Sequence, residues 1–283
     1  MHWPNFLVIG DIKAATTSLH YYLKQHPDVF MPENVKELRY FSYDSKNLYE
    51  KQAVSTRVTS EADYLQYFEG VTNEKAIGEA SPNYLRSYCA PLNIKSKIPG
   101  VKLIVSLRNP AERLFSLYMM GLRKNLRKSF QEMVFSNNSA WVKGNFTYFD
   151  LKNYYNCFSN GQIQIVLFEN LVAEPLAAMG EIYRYLDVRN DFQPNVEIHN
   201  KGGIPKNRIT YAVLVKAKDM VKKVVEPDDK LKGIWKSYKE SAVEPAKISP
   251  ETKAEIIKIC REDILMTQDL IQVDLSHWLR DCT

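Results

Sequence analysis

Residues 6–26, FLVIGDIKAATTSLHYYLKQH, constrain the fold more than any other stretch of the chain. Four apolar residues, Phe6-Leu7-Val8-Ile9, run into Gly10. The short segment Asp11-Ile12-Lys13-Ala14-Ala15 follows, and Thr16-Thr17-Ser18 then open a pattern of helical period. The pattern ends at His26-Pro27, because proline disfavours helical geometry in the residue before it. Strand, loop and helix in this order put a helix N-terminus beside a strand end. The N–H groups there lack partners inside the helix and carry partial positive charge, which suits an anion such as a phosphate or sulfate group. The loop is not a Walker A motif, which needs GxxxxGK[ST]. Counted from Gly10, Ala15 holds the second glycine position and Thr16 the lysine position. The lysine has moved to Lys13, beside a group in transfer and unable to wrap a β,γ-phosphate chain in the usual way. The plain alternative is a βα turn with an incidental lysine and a threonine N-cap.

The chain then repeats this plan. Residues 101–107, VKLIVSL, form the nearly continuous β-branched run of a central parallel strand. Arg108-Asn109-Pro110 leads into a helical pattern over 111–125, with Pro110 in the first turn, where helices accept proline. Residues 76–79 and 162–168 read as further strands. Residues 91–98, 175–186 and a last stretch opening at Ser249-Pro250 read as helices. Alternation of this kind predicts an α/β fold: one domain over 1–283, a central parallel sheet flanked by helices, and a P-loop-like anion loop. Ligands of open α/β sheets bind at the carboxyl ends of strands. Lys13 and Arg108 both lie at such ends, and Ser116 follows Arg108 a turn or two later; the alternative for Arg108 is a salt bridge at a strand end. The loop Asn200-Lys201-Gly202-Gly203-Ile204-Pro205-Lys206-Asn207 is able to bring N–H groups close to an anion. Lys36-Glu37-Leu38-Arg39-Tyr40-Phe41 sets charges against aromatic rings and, taken alone, reads as a solvated edge. Residues 216–239 are lysine-rich and read as a polar outer helix pair or a lid.

Composition narrows the partners. Lysine and arginine total 38 against 33 acidic residues, a net charge of +5. That fits an anionic ligand and is too weak to argue for nucleic acid. Cys89, Cys157, Cys260 and Cys282 include no CxxC pair, and the five histidines show no ligand spacing, so no metal is expected. Reduced, mostly buried thiols and a cytoplasmic location are the expectation. No apolar run approaches the ~20 residues needed to span a bilayer, and five residues before the first strand are too few for a signal peptide, so no membrane partner is expected. GxSxG is absent, which disfavours an α/β-hydrolase.

In their order along the chain, these motifs resemble those of sulfotransferases that use 3′-phosphoadenosine 5′-phosphosulfate (PAPS). The resemblance is strongest to the branch holding the heparan sulfate N- and 3-O-sulfotransferases and many bacterial relatives, and it spans nearly the whole chain. The family's GxxKxGTTxL loop is matched by Gly10, Lys13, Thr16, Thr17 and Leu19, and its HPDV by His26-Pro27-Asp28-Val29. KExxFF is matched by Lys36-Glu37-Leu38-Arg39-Tyr40-Phe41, and GExSPxY by Gly78-Glu79-Ala80-Ser81-Pro82-Asn83-Tyr84. LRNPxxRxxSxY is matched by Leu107-Arg108-Asn109-Pro110, Arg113, Ser116 and Tyr118. Ala15 stands where glycine is usual, Ala80 where several heparan sulfate enzymes carry lysine, and Arg39 where histidine is frequent.

The resemblance implies in-line transfer of a sulfuryl group from PAPS to a hydroxyl or amine of a small-molecule or carbohydrate acceptor, leaving adenosine 3′,5′-bisphosphate (PAP). It implies Lys13 and Glu37 as catalytic, Glu37 as base, with Glu79 the second choice. A carboxylate set beside Tyr40 and Phe41 suits a proton acceptor. Lys13, Ala14, Ala15, Thr16, Thr17 and Ser18 would bind the 5′ side of the nucleotide, Arg108 and Ser116 the 3′-phosphate, and Lys201, Gly202 and Gly203 would cover it. No metal and no nucleic acid are implied, and a homodimer is left open. The rival readings are a P-loop small-molecule kinase and a non-catalytic nucleotide-binding protein.

Overall fold

The computed structural model describes residues 2–33, 35–43, 58–123, 126–196, 203–207, 241–244 and 246–280. Its central strand is β1, Phe6–Gly10, buried along its whole length. The other strands of the main sheet are β2 (Val29–Phe30), β3 (Ala76–Ala80), β4 (Lys102–Leu107) and β5 (Ile163–Leu167). Their order is β2-β3-β1-β4-β5, and every pairing is parallel. The chain builds outward from β1 on one side through β3 and on the other through β4. The switch point therefore falls between β1 and β4, where the segments leaving the two strands diverge and open sheets bind ligands.

Alternate residues of a strand face opposite sides, and here both sides are covered. Phe6, Val8, Ile104 and Val166 share a core with Leu19, Tyr22 and Leu23 of the helix Thr16–Lys24 and with Met179, Ile182 and Tyr183 of the helix Pro175–Tyr185. Leu7, Ile9, Leu103 and Val105, on the other face, are equally inaccessible. Two-sided burial is why these strands read as unbroken apolar runs. Gly10 is required by a close crossing: Leu85 N–H donates to the Ile9 carbonyl at 2.8 Å, and a Cβ on Gly10 would lie 2.6 Å from the Leu85 Cβ.

The chain divides into two compact units. The first comprises Met1–Asn109, Phe146–His199 and Glu262–Leu275 and holds the sheet. Within it the Asp263 carboxylate accepts from the N–H groups of Thr147 and Tyr148 at 2.9–3.0 Å, neutralising the start of the helix Tyr148–Tyr155. The second comprises Pro110–Asn145, Asn200–Arg261 and Ser276–Thr283. It holds the helix Pro110–Arg123, an aromatic cluster of Phe115, Tyr118, Phe130 and Trp141, and an antiparallel pair, β6 (Ile204–Pro205) with β7 (Val243–Glu244).

Several boundaries differ from the sequence reading. The run expected over 162–168 ends as strand at Leu167, and Phe168 opens a helix, Phe168–Ala173. Cys260 is buried, but Cys89 and Cys157 are only partly so; all three are free thiols. Cys282 and residues 216–239 lie outside the described residues. Among the described residues no helix is long and apolar enough to cross a membrane.

Candidate functional site

The loop after β1 turns through two left-handed residues, Lys13 at φ 73° and Ala15 at φ 62°. A side chain in that conformation costs about 1–2 kcal/mol, so alanine at 15 carries a cost that glycine would not. The turn is held from the neighbouring strand. Asp11 N–H donates to the Ser106 carbonyl at 2.6 Å, and the Ser106 hydroxyl donates to the Ala14 carbonyl. Arg108 Nη1 donates to the Lys13 carbonyl at 3.2 Å. The Arg108 guanidinium also lies over the Phe168 ring, 4.2 Å from its centroid, and is thereby oriented from a second side.

The helix Thr16–Lys24 begins at Ala15 with no side-chain cap, so the threonine N-cap alternative does not hold. The Thr16 and Thr17 hydroxyls accept instead from Lys36 Nζ, at 3.4 and 3.1 Å. A second cation, carried by a distant segment, thus stands at the same helix start. Burial lowers the pKa of Lys36, with the Glu37 charge opposing.

Asp11 sets an acid in the loop expected to take an anion, and Arg86 neutralises it. Its carboxylate is 1% exposed and accepts from Arg86 Nε, at 3.3 Å, and from Nη2, while Oδ1 also takes the Ile12 N–H at 2.6 Å. Arg86 Nη1 reaches Asp150 Oδ2 at 2.7 Å. Burial alone would lower the guanidinium pKa; Asp11 and Asp150 outweigh it and hold it above the ordinary value.

Beyond Lys36, Arg39 Nε and Nη2 both donate to Glu37 Oε2, and Lys36 Nζ stands 3.6 Å from Oε1. Glu79, at the end of β3, is wholly inaccessible. The Ser81 hydroxyl donates to its Oε2 at 2.7 Å and the Tyr84 hydroxyl to its Oε1 at 2.6 Å. Burial pushes this carboxyl up to about 7, with the two hydroxyls opposing and the Glu37 charge adding to the rise. With no exposure and both oxygens engaged, Glu79 is poorly placed to take a proton from an acceptor, which favours Glu37 for that role.

His20, also buried, moves the other way. Burial, then the charges of Lys36 and Lys24, lowers it from 6.5 to about 4. The two groups have opposite consequences for stability. Folded Glu79 keeps a proton that the unfolded chain releases, so its contribution is full below about 4.5 and falls as pH rises to about 7. Folded His20 refuses a proton that the unfolded chain takes, so stability falls as pH drops from 6.5 to about 4. Each effect is of the order of 3 kcal/mol, and they offset each other where the windows overlap. Thermal melts across this range are expected to show Glu79→Gln gaining more stability than the wild type as pH rises through the overlap. An unchanged pH dependence in Glu79→Gln would contradict the assignment.

Of the residues expected from the sequence, the first unit brings together the 11–18 loop and helix start, Lys13 among them, with Arg108. Glu37 stands beside Lys36, which reaches Thr16 and Thr17. Ser116 and Gly203 are buried within the second unit. Lys201 and Gly202 lie outside the described residues. Sequence reasoning gave no role to Lys36, Arg86, Ser106 or Phe168. An acid at Asp11 inside an anion loop was the available signal for a compensating cation. Phe168 carried none, because its place depends on where β5 stops.

The Sulfotransferase family model matches residues 4–193. The membrane-associated sulfotransferase kil1 of Dictyostelium discoideum is 33% identical over 138 residues, covering 46% of this chain and 27% of that protein. The bifunctional heparan sulfate N-deacetylase/N-sulfotransferase 4 of Mus musculus is 27% identical over 208 residues, covering 66% of this chain and 22% of that protein. The chain thus spans about a quarter of the length of these curated relatives. The sulfotransferase from Alicyclobacillus acidocaldarius superposes with a TM-score of 0.72 at 24% identity, covering 98% of this chain and 99% of its own. The sulfotransferase domain from the curacin biosynthetic pathway gives 0.52 at 16%, covering 92% and 99%. Both structures share the α/β fold with its central parallel sheet. The family match does not favour the kinase alternative.

Proposed function

The chain belongs to the Sulfotransferase family, and we propose that it moves a sulfuryl group from PAPS to a hydroxyl or amine of a small-molecule or carbohydrate acceptor. The observation that carries this reading is the pairing of an anion loop after β1 with a ring-stacked arginine after β4, joined by the bond from Arg108 to the Lys13 carbonyl. The residues suit a nucleotide with phosphate at both ends: a helix start bearing Thr16, Thr17 and Lys36 on one side, a guanidinium on the other.

The bound donor supplies an activated sulfuryl group, whose sulfur–oxygen bond to the phosphate breaks as a new bond to the acceptor forms. Lys13 stabilises the charge growing on the bridging oxygen, along with N–H groups of the loop. Thr16, Thr17 and Ser18 hold the 5′-phosphate. Arg108 holds the 3′-phosphate. Glu37 takes the acceptor proton, its Oε2 held by Arg39. Positioning and charge stabilisation supply most of the catalysis, as in phosphoryl transfer. The reading treats both units as one sulfotransferase domain over 1–283, cytoplasmic, with neither a nucleic-acid nor a membrane partner.

Transfer of labelled sulfate from PAPS to a panel of hydroxyl and amine acceptors, without magnesium, tests it. Transfer releasing PAP supports the reading; a strict need for ATP and magnesium overturns it in favour of a kinase. In the same assay Arg108→Ala is expected to raise the KM for PAPS by about tenfold or more, with a smaller effect on kcat, through loss of a charge-assisted phosphate contact. An unchanged KM would remove Arg108 from the nucleotide site.

A further inference from the structure

We propose that Glu79 is a positioning residue: its single buried carboxylate grips two backbone N–H groups of the 36–41 strap through two intervening hydroxyls. The inference rests on Glu37 acting in the transfer proposed above.

Two relays converge on Glu79. In one, Arg39 N–H donates to the Ser81 hydroxyl oxygen at 3.0 Å, and that hydroxyl donates to Glu79 Oε2 at 2.7 Å. In the other, Phe41 N–H donates to the Tyr84 hydroxyl oxygen at 3.4 Å, and that hydroxyl donates to Glu79 Oε1 at 2.6 Å. The strap N–H groups can only donate, so each hydroxyl has its single proton free for Glu79, which accepts from both once it is ionised, above about pH 7. Both hydroxyls therefore turn their protons inward and present lone pairs to the strap.

The grip falls where the strap needs it. Arg39 is left-handed, φ 57°, a conformation unfavourable for a residue with a side chain. From there its guanidinium reaches back two residues to hold Glu37 Oε2. Fixing the Arg39 N–H thus fixes the residue that holds the candidate base. Two amide side chains brace the far end: Asn93 Nδ2 donates to the Phe41 carbonyl at 2.9 Å and Asn83 Nδ2 to the Ser42 hydroxyl at 3.0 Å. Glu37, Lys36, Tyr64 and Tyr84 are the titratable groups whose fields meet at Glu79. Ser81 itself is tied to the central strand, its N–H donating to the Val8 carbonyl at 3.0 Å. The strap is in this way referenced to β1, the strand from which the anion loop leaves.

Glutamine is not an equivalent of glutamate here. Its NH2 group would meet one hydroxyl as a donor and leave that hydroxyl's proton without an acceptor. Hydrogen exchange of the unliganded protein at pH 8, where Glu79 is ionised, reads the grip without reference to turnover. Ser81→Ala is expected to speed exchange at the Arg39 amide while leaving Phe41 slow. Tyr84→Phe is expected to do the reverse, and Glu79→Gln to speed at least one of the two. In the transfer assay Glu79→Gln is expected to lower kcat by about tenfold or more, the scale of a misplaced catalytic group, and to cause no further loss in a Glu37→Gln background. Unchanged exchange at both amides in Glu79→Gln overturns the proposal, as does a kcat loss that persists undiminished in the Glu37→Gln background. Failure of the functional reading would show separately, as no transfer by the wild type, while the exchange result still decides whether Glu79 grips the strap.

Discussion

Lys13→Ala is expected to lower kcat for sulfuryl transfer by about 10²-fold or more while leaving the protein folded. A preorganised cation aimed at the charge growing on the bridging oxygen acts far more strongly than one in bulk solvent, and loss of one such donor typically costs about 10²–10³ in rate. The backbone argues that the effect will be chemical. Lys13 sits at φ 73°, a penalty that alanine shares with lysine. The contact from Arg108 Nη1 goes to its carbonyl and survives the substitution. A thermal melt of the variant separates loss of chemistry from loss of fold. Lys13→Arg restores charge but spreads it over a planar fork, so only partial recovery is expected. Steady-state kinetics beside a thermal melt decide the matter: wild-type kcat in Lys13→Ala would take this lysine out of the chemistry.

The second large effect is on stability. Arg86→Met is expected to destabilise the fold by about 3–5 kcal/mol, the scale for removing one partner of a buried ion pair. The loss falls on Asp11, whose carboxylate is 1% exposed. Asp150, at 28% exposed, can be hydrated and should matter less. Asp11→Asn in the Arg86→Met background should accordingly recover part of the loss, whereas Asp150→Asn should recover little. Urea unfolding of the four proteins gives the comparison; equal recovery by both, or none by Asp11→Asn, would show that neutralising Asp11 is not the task of Arg86.

Most of the fold was legible because burial on both sheet faces leaves a direct mark. Residues 6–10 and 102–107 carry few polar residues, so their central places could be read without any knowledge of partners. Helix starts were legible where proline marks them, as at Pro110, Pro175 and Pro250. The anion loop was legible as a composition, but its conformation was not. Nothing in Ala14-Ala15 announces a left-handed turn, and alanine argues against one. The strap was harder still. Lys36 to Phe41 reads as a solvated edge until Glu79, Ser81 and Tyr84, some forty residues on, are seen beneath it. Contacts of that span are set by the sheet order, which places β3 next to β1, and a local reading of charge and period carries no record of that neighbour.

The account turns on a nucleotide held at both ends, so its most direct test is a comparison of ligands that differ at one end only. Calorimetric titration of the wild type with PAP and with AMP isolates the 3′-phosphate. PAP is expected to bind at least about tenfold more tightly, a difference of roughly 1.4 kcal/mol, and Arg108→Ala to erase most of that margin. Equal affinity for PAP and AMP in the wild type would contradict the account.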